Sequence, residues 1–177
     1  DSSVSEDELF KDYRYLSSIS LSKHFESMAK WMVDKFVLTE KSKVLEIGSN
    51  DGVLLSPLKN LNIPSIGIDP AENVAMVALK KGLDVKIDYF NKNSAQKYFK
   101  DKEFDLVVAN NCFAHIEDIS SIINGVDYVL KPDGSFIIEV HYSKYLVKDG
   151  QFDTVYHEHI FYWSVITLQR FFNLHGY

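Results

Sequence analysis

Apolar residues gather in five short runs along this chain: Lys43–Ile47, Ser65–Ile68, Asp84–Ile87, Phe104–Ala109 and Ser135–Val140. Each reads as a short strand, and successive runs start about 20 residues apart, the spacing of βα units feeding a parallel sheet. The last interval is longer because its helix is longer. Between the runs the apolar period becomes helical. Ile116, Ile119, Ile122, Ile123, Val126, Val129 and Leu130 share one stripe, which Lys131-Pro132-Asp133-Gly134 ends with a turn. Pro70 marks another helix start, where its missing N–H costs nothing. Ahead of the first strand, Phe25, Met28, Met32 and Phe36 line one face of a long helix over Leu21 to Val37, a face read as packing on the sheet. After the last strand, His141 to Trp163 is rich in aromatics and histidines, with Gly150 as a break, and Ser164 caps a helix running to Leu174. The pattern predicts a doubly wound α/β domain over residues 21–177, preceded by an N-terminal segment, residues 1–20.

The 177 residues suffice for one domain with a real core, and 46% hydrophobic with 25% charged residues is an ordinary soluble balance. A net charge of −6 argues against a nucleic-acid binder, which needs clustered basic surface. A small-molecule substrate, including an anionic one, stays open. No run reaches the length of a membrane span and no signal-peptide core is seen, so no membrane partner is expected. The single cysteine, Cys112, excludes an internal disulfide and a cysteine zinc cluster, and with them a cytoplasmic location is expected. Cys112 itself reads as a small buried hydrophobe. The polar opening, Asp1 to Glu8, and the stop at Gly176-Tyr177 lead to the expectation of a fragment. Oligomeric state is not encoded in any pattern found.

The sharpest local feature is Val44-Leu45-Glu46-Ile47-Gly48-Ser49-Asn50-Asp51-Gly52, a strand running into a glycine loop. Gly48 and Gly52 let the backbone turn tightly against a ligand. Asp69, at the end of the second strand, can accept both hydroxyls of a ribose. A dinucleotide site uses the same geometry but wants Gly-x-Gly-x-x-Gly, so that amides meet a pyrophosphate. Here the middle glycine is missing, Glu46 precedes the loop and Asp51 lies inside it. Negative charge suits a cationic sulfonium or ammonium, which selects S-adenosylmethionine (SAM) as cofactor, with Glu46, Gly48, Ser49, Asn50, Gly52 and Asp69 around it. Asp51 reads equally as a turn or cap residue. After the third strand, Asp88 and Tyr89 fit an adenine amino group and ring, or alternatively a solvated acid beside core aromatics. Asn110 and Asn111 end the fourth strand at the ligand-binding edge, and Asn110 is taken as a cofactor contact.

Tyr156-His157-Glu158-His159 is the second feature above background. A neutral imidazole takes a proton near pH 7, a carboxylate orients it, and a phenol donates to an oxygen gaining charge. Two alternatives accompany this reading: a zinc site through His-x-His, with His141 as third ligand, and a buried polar network.

Glu46-Ile-Gly-Ser-Asn-Asp-Gly52, Asn110-Asn-Cys-Phe-Ala-His115 and Phe152-Asp-Thr-Val-Tyr-His-Glu-His159 together resemble the sugar C-methyltransferases, and the likeness runs from Tyr13-Arg-Tyr15-Leu-Ser-Ser18 to His175-Gly176. The resemblance implies a Rossmann-like methyltransferase fold, here lacking its final antiparallel hairpin. It implies C-3 methylation of a nucleotide-linked 4-keto deoxysugar through an enolate. By position in the motif, His159 is then the base, Tyr156 supports the sugar or its enolate oxygen, and Glu158 orients its neighbours. Tyr15 and His141 fall on the sugar side, His115 has no settled role, and no metal is implied at the reaction centre. Members of that family also carry an N-terminal cysteine-rich zinc domain and a further C-terminal domain. These residues contain neither. Methylation of oxygen or nitrogen on another small metabolite, or a non-enzymatic assembly module, remain the competing readings. The Tyr-His-Glu-His run weighs against the former and the intact loop with Asp69 against the latter.

Overall fold

The computed structural model describes residues 19–151, 155 and 159–177. Helix α1 (Ile19–Phe36) leads into strand β1 (Val44–Ile47). Helices and strands then alternate through α2 (Leu55–Asn60), β2 (Ser65–Asp69), α3 (Glu72–Lys80), β3 (Asp84–Ile87), α4 (Lys92–Tyr98), β4 (Phe104–Asn110), α5 (Ile119–Val129) and β5 (Leu130–Glu139). Two more helices, α6 (Ser143–Lys148) and α7 (Val165–Leu174), follow the sheet. The strands pair in parallel in the order β3-β2-β1-β4-β5. Strand order reverses between β1 and β4, so the loops leaving those strands diverge and open a crevice at the carboxyl edge. This is the doubly wound parallel architecture that the alternating runs predict.

Alternate side chains of each strand point to opposite faces, and both faces are covered. Leu45, Ile47, Val107 and Ala109 pack with Phe99, Ile122, Ile123 and Val126, which places α4 and α5 on one face. Val44, Leu106 and Val108 pack with Phe25, Ala29 and Met32 of α1 and Leu58 of α2 on the other. Burying a side chain the size of Phe25 or Met32 contributes ~1.5–3 kcal/mol, so α1 is fastened by its apolar stripe. Glu46 and Asn110 share the face of Val44 and Leu106, and this parity brings their side chains together.

Several element boundaries shift from the pattern-based expectation, and at three places the local reason is visible. Helix α5 begins at Ile119 because the Asp118 carboxylate caps it, accepting from the Ser121 amide at 3.0 Å; Ile116 therefore precedes the helix. Residues Lys131 to Gly134 form an irregular stretch inside β5 rather than a separating turn. Gly134 permits this, since a Cβ there would lie 2.6 Å from Leu130 Cδ1 and 3.0 Å from the Asp105 carbonyl. Pro70 sits outside α3, which starts at Glu72 after Asp69 Oδ1 has taken the Ala71 amide at 2.9 Å. Ser164 caps α7 as expected, in a reciprocal capping box with Thr167. Among the described residues, no helix is long and apolar enough to cross a membrane.

Candidate active site

The loop after β1 is tied down by its own backbone. Gly48 N and Ser49 N donate to the Ile68 carbonyl at 2.9 and 3.4 Å, and Gly52 N donates to Ser49 O at 2.9 Å. Asn50 N donates to Asp69 Oδ2 at 2.8 Å, and Asp51 N to Asn50 Oδ1 at 2.7 Å. All five loop amides are thus engaged within the protein. A pyrophosphate needs such amides free, so this loop is not the phosphate cradle of a dinucleotide site. Gly48, Asn50 and Gly52 occupy the left-handed region, with φ of 70°, 48° and 77°. The two glycines differ in what surrounds them. At Gly48 a Cβ would meet Cys112 Cβ at 3.0 Å, within the crevice. At Gly52 it would meet Leu83 Cδ1 at 2.2 Å, so this glycine makes room for a core leucine rather than for a ligand.

Three carboxylates, Glu46, Asp51 and Asp69, are buried around the loop. Burial, reinforced by the charges of Asp69 and Asp51, pushes the Glu46 carboxyl well above the ordinary range; a hydrogen bond from Asn110 partly opposes the shift. Burial also raises Asp69, against the lowering effect of the Asn50 and Ala71 amides it binds. Lys81, at the end of α3, pairs with Asp51 Oδ2 at 3.2 Å and with its carbonyl at 2.8 Å. Asn110 Nδ2 donates to Glu46 Oε1 at 3.2 Å. Glu46 Oε2, Asn110 Oδ1 and Ser49 Oγ are buried without a hydrogen-bond partner. Ser49 packs its hydroxyl against Gly67, where a Cβ would sit 2.3 Å from Oγ. Dehydration and the nearby Asp69 and Glu46 push the Cys112 thiol up to about 12, so it stays a protonated wall residue. Buried carboxylates and acceptors without partners beside the loop suit a cationic cofactor, and the residues present fit SAM.

Asp88 is already engaged. Its Oδ2 accepts from Lys97 Nζ at 2.9 Å and Tyr98 OH at 3.0 Å, and its Oδ1 accepts from the Tyr89 amide at 3.0 Å. The Lys97 hydrogen bond leads in holding this carboxylate below its usual range. Tyr89 is half-buried, whereas its neighbour Phe90 belongs to the core.

The loops after β4 and β5 bring three histidines together. The His159 ring is buried, with its centroid 4.8 Å from that of His115, 5.8 Å from His141 and 6.0 Å from the Tyr162 ring. Backbone contacts set this position. The Ile160 and Phe161 amides donate to the Ala114 carbonyl at 2.8 and 3.2 Å, and Trp163 Nε1 donates to the Phe113 carbonyl at 3.3 Å. Ser143 N donates to Trp163 O at 2.8 Å, tying the same segment to the chain after β5. The sequence separates His115 from His159 too widely for pattern reading to join them. Sequence reading also missed Glu139, whose Oε2 meets His24 Nε2 at 2.7 Å and whose Oε1 accepts from Asn111 Nδ2 at 2.9 Å. Tyr15, Tyr156 and Glu158 lie outside the described residues. Among the described residues, no group of three His, Cys, Asp or Glu side chains is arranged to hold a metal.

Comparison with known proteins agrees with this geometry. Residues 21–177 match the family model described as a methyltransferase domain. The C-methyltransferase NovU of Streptomyces niveus is 36% identical over 176 residues, covering 98% of this chain and 42% of that protein. A mitochondrial ubiquinone biosynthesis O-methyltransferase of Bos taurus is also 36% identical, but over 102 residues, or 54% of this chain and 28% of that one. The chain therefore spans less than half the length of these curated relatives. A SAM-dependent methyltransferase from Archaeoglobus fulgidus superposes with a TM-score of 0.67 at 21% identity, covering 85% of this chain and 68% of that one, a likeness of fold. The chain belongs to the methyltransferase domain family, with a Rossmann-like sheet and SAM as its expected cofactor.

Proposed function

We propose that this protein transfers a methyl group from SAM to a carbon atom of a nucleotide-linked keto-deoxysugar, through an enolate formed by His159. The observation that carries this reading is the buried His159 ring, set among His115, His141 and Tyr162 at the carboxyl edge of the sheet. Carbon next to a ketone becomes nucleophilic only after losing a proton, and an imidazole held out of bulk water is suited to take it. His159 Nδ1 or Nε2 accepts the proton, Tyr156 supports the oxygen that gains charge, and Glu158 orients the imidazole. Tyr15 and His141 are assigned to the sugar side by their place in the motif. Glu46, Gly48, Ser49, Asn50, Asp69, Asp88, Tyr89 and Asn110 surround the cofactor, which supplies an electrophilic methyl when bound, while Gly52 shapes the loop from the Leu83 side. The protein's largest contribution is alignment of the two reacting groups. The C-methyltransferase relative supports this reading by matching nearly the whole chain, whereas the O-methyltransferase match covers about half.

The test is proton exchange on a 4-keto deoxysugar nucleotide in deuterium oxide, with S-adenosylhomocysteine present so that no methyl is transferred. Exchange at the carbon beside the ketone, abolished by His159→Ala, is expected. Methylation of a hydroxyl substrate without any carbon-bound exchange would favour the O-methyltransferase reading.

A further inference from the structure

We propose that Glu46 carries a proton in the free protein, directed to the Asn110 carboxamide, and surrenders it to solvent when the positively charged cofactor binds over the loop. The inference rests on SAM being the cofactor and concerns what its charge does to this chain.

Glu46 is 2% exposed and Asn110 7% exposed, and they are joined by a single bond, Asn110 Nδ2 to Glu46 Oε1 at 3.2 Å. The atoms left over, Glu46 Oε2 and Asn110 Oδ1, lack partners, and both are acceptors if the carboxyl is ionised. Buried acceptors left unpaired are costly. One proton changes this. A neutral carboxyl gains an O–H donor, and a carboxyl with a carboxamide forms the familiar two-bond cyclic pair. The proton therefore answers both orphaned atoms at once.

The surroundings point the same way. Asp69 from β2 and Asp51 from the loop face Glu46 with negative charge, and the Cys112 thiol after β4 is neutral. Lys81 is engaged by Asp51. The charged neighbours thus favour the neutral carboxyl, and burial raises its proton affinity further. A bound sulfonium reverses that balance, since a nearby positive charge stabilises the carboxylate. The event is a simple ionisation: the Glu46 O–H bond breaks, the proton passes to buffer, and no bond forms to the cofactor. Methyl transfer leaves a neutral thioether, so the charge that ionised Glu46 disappears with the reaction and the proton returns.

Two measurements test this. Infrared difference spectra of the free protein, wild type minus Glu46→Gln at neutral pH, should contain a protonated-carboxyl band. Gln keeps the size of Glu and can make both bonds to Asn110, so the variant should fold. A difference showing only carboxylate overturns the proposal, whether or not any cofactor binds. Calorimetric titration with SAM in buffers of different ionisation enthalpy should then show release of part of one proton per cofactor. S-adenosylhomocysteine should release less, and Glu46→Gln should release none. Equal release by the two ligands, or release unchanged in the variant, also overturns the proposal. Absence of any binding heat would instead contradict the cofactor reading, with the infrared band still deciding whether Glu46 holds its proton.

Discussion

Removing the Asp69 carboxylate tests how the loop is held and how the cofactor is gripped at the same time. Its Oδ2 accepts the Asn50 amide at 2.8 Å and its Oδ1 the Ala71 amide at 2.9 Å. One bond fixes the left-handed Asn50; the other starts α3. In Asp69→Ala both amides lose their acceptor, Ala71 in a buried and Asn50 in a partly buried setting, and each unsatisfied group costs ~1–3 kcal/mol. Relief from burying a carboxylate offsets part of that loss, leaving a net destabilisation of ~2–4 kcal/mol. For a domain of this size, that lowers the Tm by about 4–16 °C. Urea denaturation should show a lower midpoint at unchanged slope. SAM affinity, followed in parallel by calorimetry, should fall by ~1–3 kcal/mol, or about 5- to 150-fold. Asp69→Asn, which keeps one acceptor, should lie between the two proteins. A wild-type midpoint in Asp69→Ala would refute the role in holding the loop. A lower midpoint with unchanged SAM affinity would confine Asp69 to structure.

Other outcomes follow from single contacts. Gly52→Ala should destabilise by ~1–3 kcal/mol through overpacking on Leu83, with partial recovery in the Gly52→Ala/Leu83→Ala double variant; additive losses on denaturation would contradict this. His159→Ala should abolish turnover while leaving SAM affinity within about twofold of wild type by calorimetry, because its neighbours are the other rings rather than the loop. Trp163→Phe, which removes the donor to the Phe113 carbonyl, should cost ~1–2 kcal/mol in urea denaturation. Because the folded pKa of Glu46 is raised, its contribution to stability is fully present below the ordinary glutamate value of 4.5 and is lost as pH rises through the folded value. Glu46→Gln should therefore gain on wild type as pH increases, and parallel stability curves from pH 4 to 8 would contradict that sign.

Much of this fold was legible because parallel strands covered on both faces must be apolar along their length. The runs at Lys43–Ile47 and Phe104–Ala109 therefore stood out, as did the stripe of Phe25 and Met32. Legibility failed where a side chain acts through tertiary contact. Nothing local marks Gly134 as the residue that lets β5 pass close to Asp105, and the helical stripe hides the Asp118 cap. At the site, Glu46 and Asp69 were readable because strand ends place them at the sheet edge. Gly52 was read as making room for a ligand, but its neighbour is Leu83, a core residue from a different βα unit. The grouping of His115 with His159, and the clasp of Glu139 by His24 and Asn111, join segments far apart in the chain, and no periodicity encodes either.

The central claim is that the acidic loop between β1 and α2 binds SAM rather than a dinucleotide. Calorimetric titration of the protein with SAM and, separately, with NAD tests it most directly. Saturable binding of SAM with no heat from NAD is the expected result, because the loop amides are engaged and its carboxylates favour a cation. Saturable NAD binding without SAM binding would contradict the account.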